Sequence, residues 1–183
     1  FQEHDKNLLK NFETKGPTTM GTSLADGLKK LRDFTESVDD AKTLRVELVE
    51  EQKLFKIDIP EYPELQTLIH KMTKVTKVFD LYEDFKAFEA GQSEQQWAAL
   101  DINKLTKGIE AIIKLMNKYP KSLKKTPVFE QVKEQILSFQ ASIPLIESLK
   151  NDAMLARHWK KLGDETGVRF DASDTSFTLR SIF

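Results

Sequence analysis

Cysteine is absent from this chain. That excludes disulfides, thiolate zinc sites and cysteine nucleophiles, and it is compatible with a reducing compartment without establishing one. Glycine and proline are scarce, at 7 and 6 of 183 residues. No apolar run approaches the roughly 20 residues needed to span a bilayer, and no signal-peptide pattern stands at the start. Neither sign of charge dominates. Lys plus Arg is 28 against 29 for Asp plus Glu, a net charge of −1. A near-neutral chain offers no bulk reason to bind nucleic acid or an anionic membrane. The phosphate loop G-x-x-x-x-G-K-[ST], the H-E-x-x-H pair and the Gly-rich dinucleotide fingerprint are all missing. His4, His70 and His158 lie in three different segments without ligand-like spacing, so no metal site is expected.

What is present is charge and helical periodicity. Charged residues make up 31% of the chain, which suits long helices washed by solvent on one side. "HDKNLLKNFETKGP" reads as the tail of a helix stopped at Gly16-Pro17. Ser23 can cap a very long helix in which Leu24, Leu28, Leu31, Val38, Ala41, Leu44, Leu48 and Phe55 recur at three- and four-residue steps. "IDIPEYP" breaks it at Pro60 and Pro63. A second long helix then runs from about Pro63 to Ala90, with Leu65, Leu68, Met72, Val75, Phe79 and Tyr82 in register. Two such helices joined by a proline turn predict an antiparallel hairpin roughly 40–45 Å long.

After "AGQSEQQ" the helices shorten. Ile102, Leu105, Ile109, Ile112 and Met116 share one face of a helix ended by Pro120. Phe129, Val132, Ile136, Phe139 and Ile143 stripe the next, which starts at the Thr126-Pro127 cap. Pro144 is expected to open a short turn. "NDAMLARHWKKLGDETG" predicts a capped helix ending at Gly163 or Gly167, and "DASDTSFTLRSIF" the capped start of another. No stretch alternates long enough for a strand. The fold class is all-α: an elongated long-helix antiparallel hairpin or bundle over residues 1–92, then a bundle of shorter helices over 93–183. The candidate joints are Gly16, Pro17, Pro60, Pro63 and Gly91.

Few residues offer chemistry. Acidic neighbours such as Asp39-Asp40, Glu50-Glu51 and Glu83-Asp84 diverge by about 100° on a helix and cannot share a proton or an ion. Basic clusters occur at Lys29-Lys30-Arg32 and from Lys118 to Lys125; the second reads as a loop with an aromatic in it that could meet nucleic acid or a tubulin-like acidic surface, although flanking acids keep the whole chain neutral. Gly27 and Gly108 sit within helical patterns and read as points of close helix approach. Trp97, Phe129 and Trp159 lie on apolar stripes and read as anchors. In Arg157-His158-Trp159, the residues Leu155, Trp159 and Leu162 take the i, i+4, i+7 face. His158 stands at its edge, and Arg157 points elsewhere, toward solvent or an acidic neighbour. No catalytic, cofactor or metal residue is assigned; the packing set is Trp97, Phe129, Leu155, His158, Trp159 and Leu162.

The segment "IPLIESLKNDAMLARHWKKLGDETG" resembles a stretch of dynein heavy chains in the N-terminal part of their linker. "WAALDINKLTKGIEAIIKLMNKYPKSLKKTPVFEQVKEQILSFQASIP" is similar to the opening of that linker. "NFETKGPTTMGTSLADGLKKLRDF" and "EEQKLFKIDIPEYPEL" are similar to the end of the tail. The "LF…YPEL" form resembles axonemal heavy chains, most of all outer-arm types. The resemblance implies a non-catalytic mechanical segment at the tail-linker junction of an ATP-driven microtubule motor for ciliary motility. It would bind no cofactor itself, ATP and Mg being held elsewhere in the parent chain. The implied partners are other dynein heavy, intermediate and light chains and the parent's own ATPase ring. Nucleic acid and membrane are not among them, and microtubules would be met only through other regions. The implied place is the cytoplasmic side of the cell, in the axoneme of a cilium or flagellum. The chain starts at Phe1 and stops inside an apolar-periodic stretch, which reads as a piece of a longer protein. A spectrin-like scaffold or tether with no motor attached is the competing reading. An enzyme with a helical-bundle site would need a convergent polar set that the sequence does not supply.

Overall fold

The computed structural model describes residues 2–19, 23–58, 61–172, 174 and 176–182, and these form helices with no strand among them. In chain order they are α1 (Gln2–Lys15), α2 (Leu24–Leu54), α3 (Pro63–Ser93), α4 (Ile102–Asn117), α5 (Lys121–Lys124), α6 (Pro127–Leu149) and α7 (Ala156–Thr166). Short 3-10 turns occur at Trp97–Ala99 and Leu179–Ser181. The chain divides into two compact units, one of residues 1–80 with 122–131 and the other of residues 81–121 with 132–183. The divisions fall inside α3, α5 and α6.

In the first unit, α2 starts where Ser23 Oγ accepts the Asp26 N–H at 3.1 Å, satisfying one of the orphan donors of a helix N-terminus. Leu24, Leu31 and Val38 are buried at seven-residue steps. The next such step is Arg45, whose guanidinium lies 4.8 Å from the centre of the Tyr62 ring. A cation over an aromatic face thus continues the seam where the apolar series stops. Leu44 and Phe55 do not join the seam. They are 46% and 76% exposed: at 100° per residue Leu44 projects about 140° away from the mean Leu24–Leu31–Val38 direction, and Phe55 is the C-cap residue beyond the end of α2. In α3, Leu65, Leu68, Met72 and Phe79 are buried. A methyl group at Gly27 would fall 2.7 Å from the Phe79 ring and 2.9 Å from the Pro17 carbonyl. With Gly27 beside Phe79 and Arg45 beside Tyr62, the two helices run antiparallel.

α1 packs on this pair through an edge-to-face contact of Phe12 with Phe34, centroids 5.3 Å apart, and an ion pair between Glu13 and Lys71. Gly16 and Pro17 are both buried. A Cβ at Gly16 would collide with the Phe12 carbonyl oxygen at 2.0 Å. Pro63 is the first residue of α3, where its missing N–H is harmless. Pro60 lies outside the described residues.

In the second unit, Phe85 and Phe88 of α3 meet Phe139 of α6 edge-on at 5.9 and 6.0 Å. α4 begins at Asp101, whose carboxylate accepts the Lys104 N–H at 3.1 Å, and buries Leu105, Ile109 and Met116. Gly108 lets α4 approach α3, since a methyl group there would lie 2.2 Å from the Phe88 ring. α3 itself runs through Gly91 to Ser93, with open space around Gly91.

Pro144 does not open a turn but sits inside α6. Its missing N–H deprives the Gln140 carbonyl, which lies on the exposed face where water can serve it. Ile143 and Ile146 on either side are buried and hold the helix on the core. The segment after Asp171 is not a helix start either: it forms a turn, an isolated antiparallel bridge between Gln96 and Thr178, and the second 3-10 turn.

Candidate functional site: an aromatic cluster around the Arg-His-Trp helix

The densest constellation in the second unit surrounds Trp159. Trp97 and Trp159 meet edge-to-face with centroids 5.8 Å apart. Phe177 stands 5.8 Å from each of them. Phe170 adds a fourth ring, 6.0 Å from Trp159 and 6.4 Å from Phe177. Such arrangements join the positive edge of one ring to the negative face of another, beyond the area they bury.

Backbone bonds fix the rings. The Trp97 N–H donates to the Phe177 carbonyl at 2.8 Å, and the Leu179 N–H to the Gln95 carbonyl at 3.3 Å. Lys150, at the end of α6, donates from Nζ to the carbonyls of Ala98 and Leu100, groups left over where the 3-10 turn ends. Partial burial of that ammonium lowers its pKa, and the charge of Asp101 opposes the shift.

α7 carries Trp159 into the cluster. Its start differs from the expected one. Asn151 Oδ1 accepts the Ala153 N–H at 2.9 Å, and that side-chain turn keeps the backbone out of helix. Leu155 is therefore the extended N-cap residue, with φ −82° and ψ 162°. The i, i+4 offset to Trp159 does not apply to it, and it is 50% exposed. Trp159 is buried, Leu162 half-buried, and Arg157 exposed.

His158 is half-buried and does a capping job: Nδ1 accepts the Leu155 N–H at 3.1 Å. Arg157 Nε lies 3.2 Å from the other ring nitrogen. A neutral imidazole accepts at one nitrogen only, so it serves one of these two donors at a time. α7 ends at Gly167, which takes the left-handed conformation at φ 72° and donates its N–H to the Gly163 carbonyl. Phe129 is buried in the first unit and takes no part in this cluster.

A cleft of about 630 Å³ opens beside the cluster, between α7 and residues 167–171. Its polar groups are Lys160, Asp164, Arg169 and Asp171. No group of three His, Asp or Glu side chains gathers among the described residues. No helix among them is long and apolar enough to cross a membrane. What the arrangement can do is hold elements together.

Periodicity overlooked Phe170 and Phe177, because neither lies on a helix. The legible signal was Asp174-Thr175-Ser176. Asp174 Oδ1 accepts the Ser176 N–H at 2.8 Å, and that bond holds its carboxyl below the ordinary aspartate range. An Asp two residues before a Ser marks a side-chain-capped turn, and such a turn delivers Phe177 back onto Trp97.

Among the described residues the body is helical, and the constellation around Trp159 is a set of packed rings. The chain's family follows from comparison. Residues 65–183 match the family described as "Dynein heavy chain, N-terminal region 2". The chain is 37% identical over 176 residues, 96% of its length, to the Dynein-1-alpha heavy chain, flagellar inner arm I1 complex, of Chlamydomonas reinhardtii. It is 32% identical over 178 residues, 97% of its length, to the dynein axonemal heavy chain 10 of Homo sapiens. It is 29% identical along its full length to the dynein axonemal heavy chain 8 of Homo sapiens. The chain belongs to the dynein heavy chain family and is a non-catalytic N-terminal part of such a chain. It spans about 4% of the length of each of these relatives.

Proposed function

We propose that this chain is the tail-linker junction of an axonemal dynein heavy chain, residues 1–92 closing the tail and residues 93–183 opening the linker. The parent would be an ATP-driven microtubule motor of the cilium or flagellum. Its ATP and Mg would be held in an ATPase ring formed elsewhere in the chain. This segment would pass linker movement to the tail and assemble with other heavy, intermediate and light chains. The observation that carries the reading is similarity to axonemal heavy chains along nearly the whole chain. Packing supports the mechanical role. A connector under load draws its strength from apolar seams, and here Trp97, Trp159 and Phe177 close a seam between segments distant in sequence.

The Chlamydomonas reinhardtii relative carries a name that places it in an inner-arm complex; the outer-arm reading draws on the "LF…YPEL" form. Electron microscopy of axonemes carrying a bulky tag in the loop at Tyr119 addresses both points. The tag should stand on a dynein arm, at the base of the ring where the tail joins, and its arm decides inner against outer. A tag on the microtubule-binding stalk or away from the arms overturns the proposal.

A further inference from the structure

The outward face of α4 carries a stripe of lysines that neither the packing nor the motor assignment employs. Lys104, Lys107, Lys114 and Lys118 are all exposed. At 100° per residue they project within an arc of about 80°, on the side of the helix opposite Leu105, Ile109 and Met116. The stripe is about 21 Å long at 1.5 Å per residue. The ion pairs of the described residues include none of the four. The helix holds a single acid, Glu110, at the edge of the stripe.

Helix stability does not account for this pattern. Cations are favourable near a helix C-terminus, which explains Lys114 and Lys118. Lys104 stands in the first turn, where the acid at hand is the N-cap Asp101, engaged by the Lys104 N–H, and where the helix dipole disfavours a positive charge. Lys104 with Lys107, and Lys114 with Lys118, are like-charge pairs at i, i+3 and i, i+4, and such pairs weaken a helix. The other long helices mix the signs along their exposed faces, as Lys42 with Asp39 on α2 and Lys86 with Glu89 on α3.

We infer that this face docks an acidic polypeptide, a Glu- or Asp-rich segment whose carboxylates follow the same helical steps. The stripe contains lysine only. Arginine, which would grip phosphate with two parallel bonds, is missing from it, and so is any aromatic ring on which a base could stack. The apolar face of α4 is buried in its own unit, so the helix cannot lie in a lipid interface as an amphipathic anchor does.

The test is binding of the 183-residue chain to a labelled polyglutamate peptide, followed by fluorescence anisotropy across a salt series. An oligothymidylate and phosphatidylserine vesicles serve as competing probes. The variant Lys104→Gln, Lys107→Gln, Lys114→Gln, Lys118→Gln is compared with Lys10→Gln, Lys29→Gln, Lys53→Gln, Lys160→Gln, which removes the same charge from exposed positions elsewhere. Circular dichroism verifies that both keep their helices. The expected result is polyglutamate binding that weakens with salt, falls by roughly tenfold or more in the stripe variant and stays near the parent value in the control. Absence of binding at low salt, equal weakening in both variants, or tighter binding of the oligothymidylate or the vesicles would overturn the proposal.

Discussion

Trp159 is the residue on which the second unit turns. It is buried and touches Trp97, Phe170 and Phe177. Trp159→Ala should lower the stability of that unit by about 3–5 kcal/mol, the range for emptying a large aromatic site in a core. The measurement is thermal or urea unfolding followed by tryptophan fluorescence from Trp97. An unchanged midpoint would mean that the ring packs on something outside the chain. Asp174 makes a second prediction at this scale. Its pKa is depressed by the Ser176 hydrogen bond, so its contribution to the 171–177 turn is present above the ordinary aspartate value of about 3.9 and is lost as pH falls through its own lower value. A carbon-detected NMR titration should find Asp174 ionising below that value. A midpoint at or above it would show that the Asp174–Ser176 bond does not persist in solution.

At the scale of elements, periodicity predicted the interiors of helices better than their ends. The stripes of α3, α4 and α6 bury their residues much as their spacing implies. The misplaced boundaries have local causes. Pro144 reads as a stop, yet Ile143 and Ile146 hold both sides of it on the core. Asn151 begins a side-chain turn that delays α7 to Ala156 and sets Leu155 apart from Trp159. The cluster was half legible for the same reason: two tryptophans lie on helical or turn positions with a pattern, whereas Phe170 and Phe177 arrive from irregular chain. Two glycines separate packing from tolerance. Gly91→Ala, in a helix with open space at the site, should stabilise the chain by about 0.4–1 kcal/mol. Gly108→Ala, which drives a methyl group into Phe88, should destabilise it by about 1–3 kcal/mol. A melting temperature that does not fall for Gly108→Ala would contradict the close approach of α4 to α3, and one that falls for Gly91→Ala would contradict the open space around Gly91.

For the whole molecule, the missing chemistry in the sequence pointed away from catalysis, and the order of segments pointed to the family. Neither composition nor periodicity could do the second. A long helical hairpin is common to many scaffolds, and it was the particular residues of the Arg-His-Trp stretch and its neighbours that separated this chain from a spectrin-like tether. We propose that these helices convey force between tail and linker while the parent chain's chemistry is done elsewhere. The most direct measurement uses the parent heavy chain with a flexible Gly-Ser segment inserted after Gly91, assayed in parallel for ATP turnover and for microtubule gliding velocity. If the segment is the mechanical connection, turnover persists while gliding slows severely. If gliding is unaffected, or if turnover and gliding fall together in proportion, the segment does not carry the stroke.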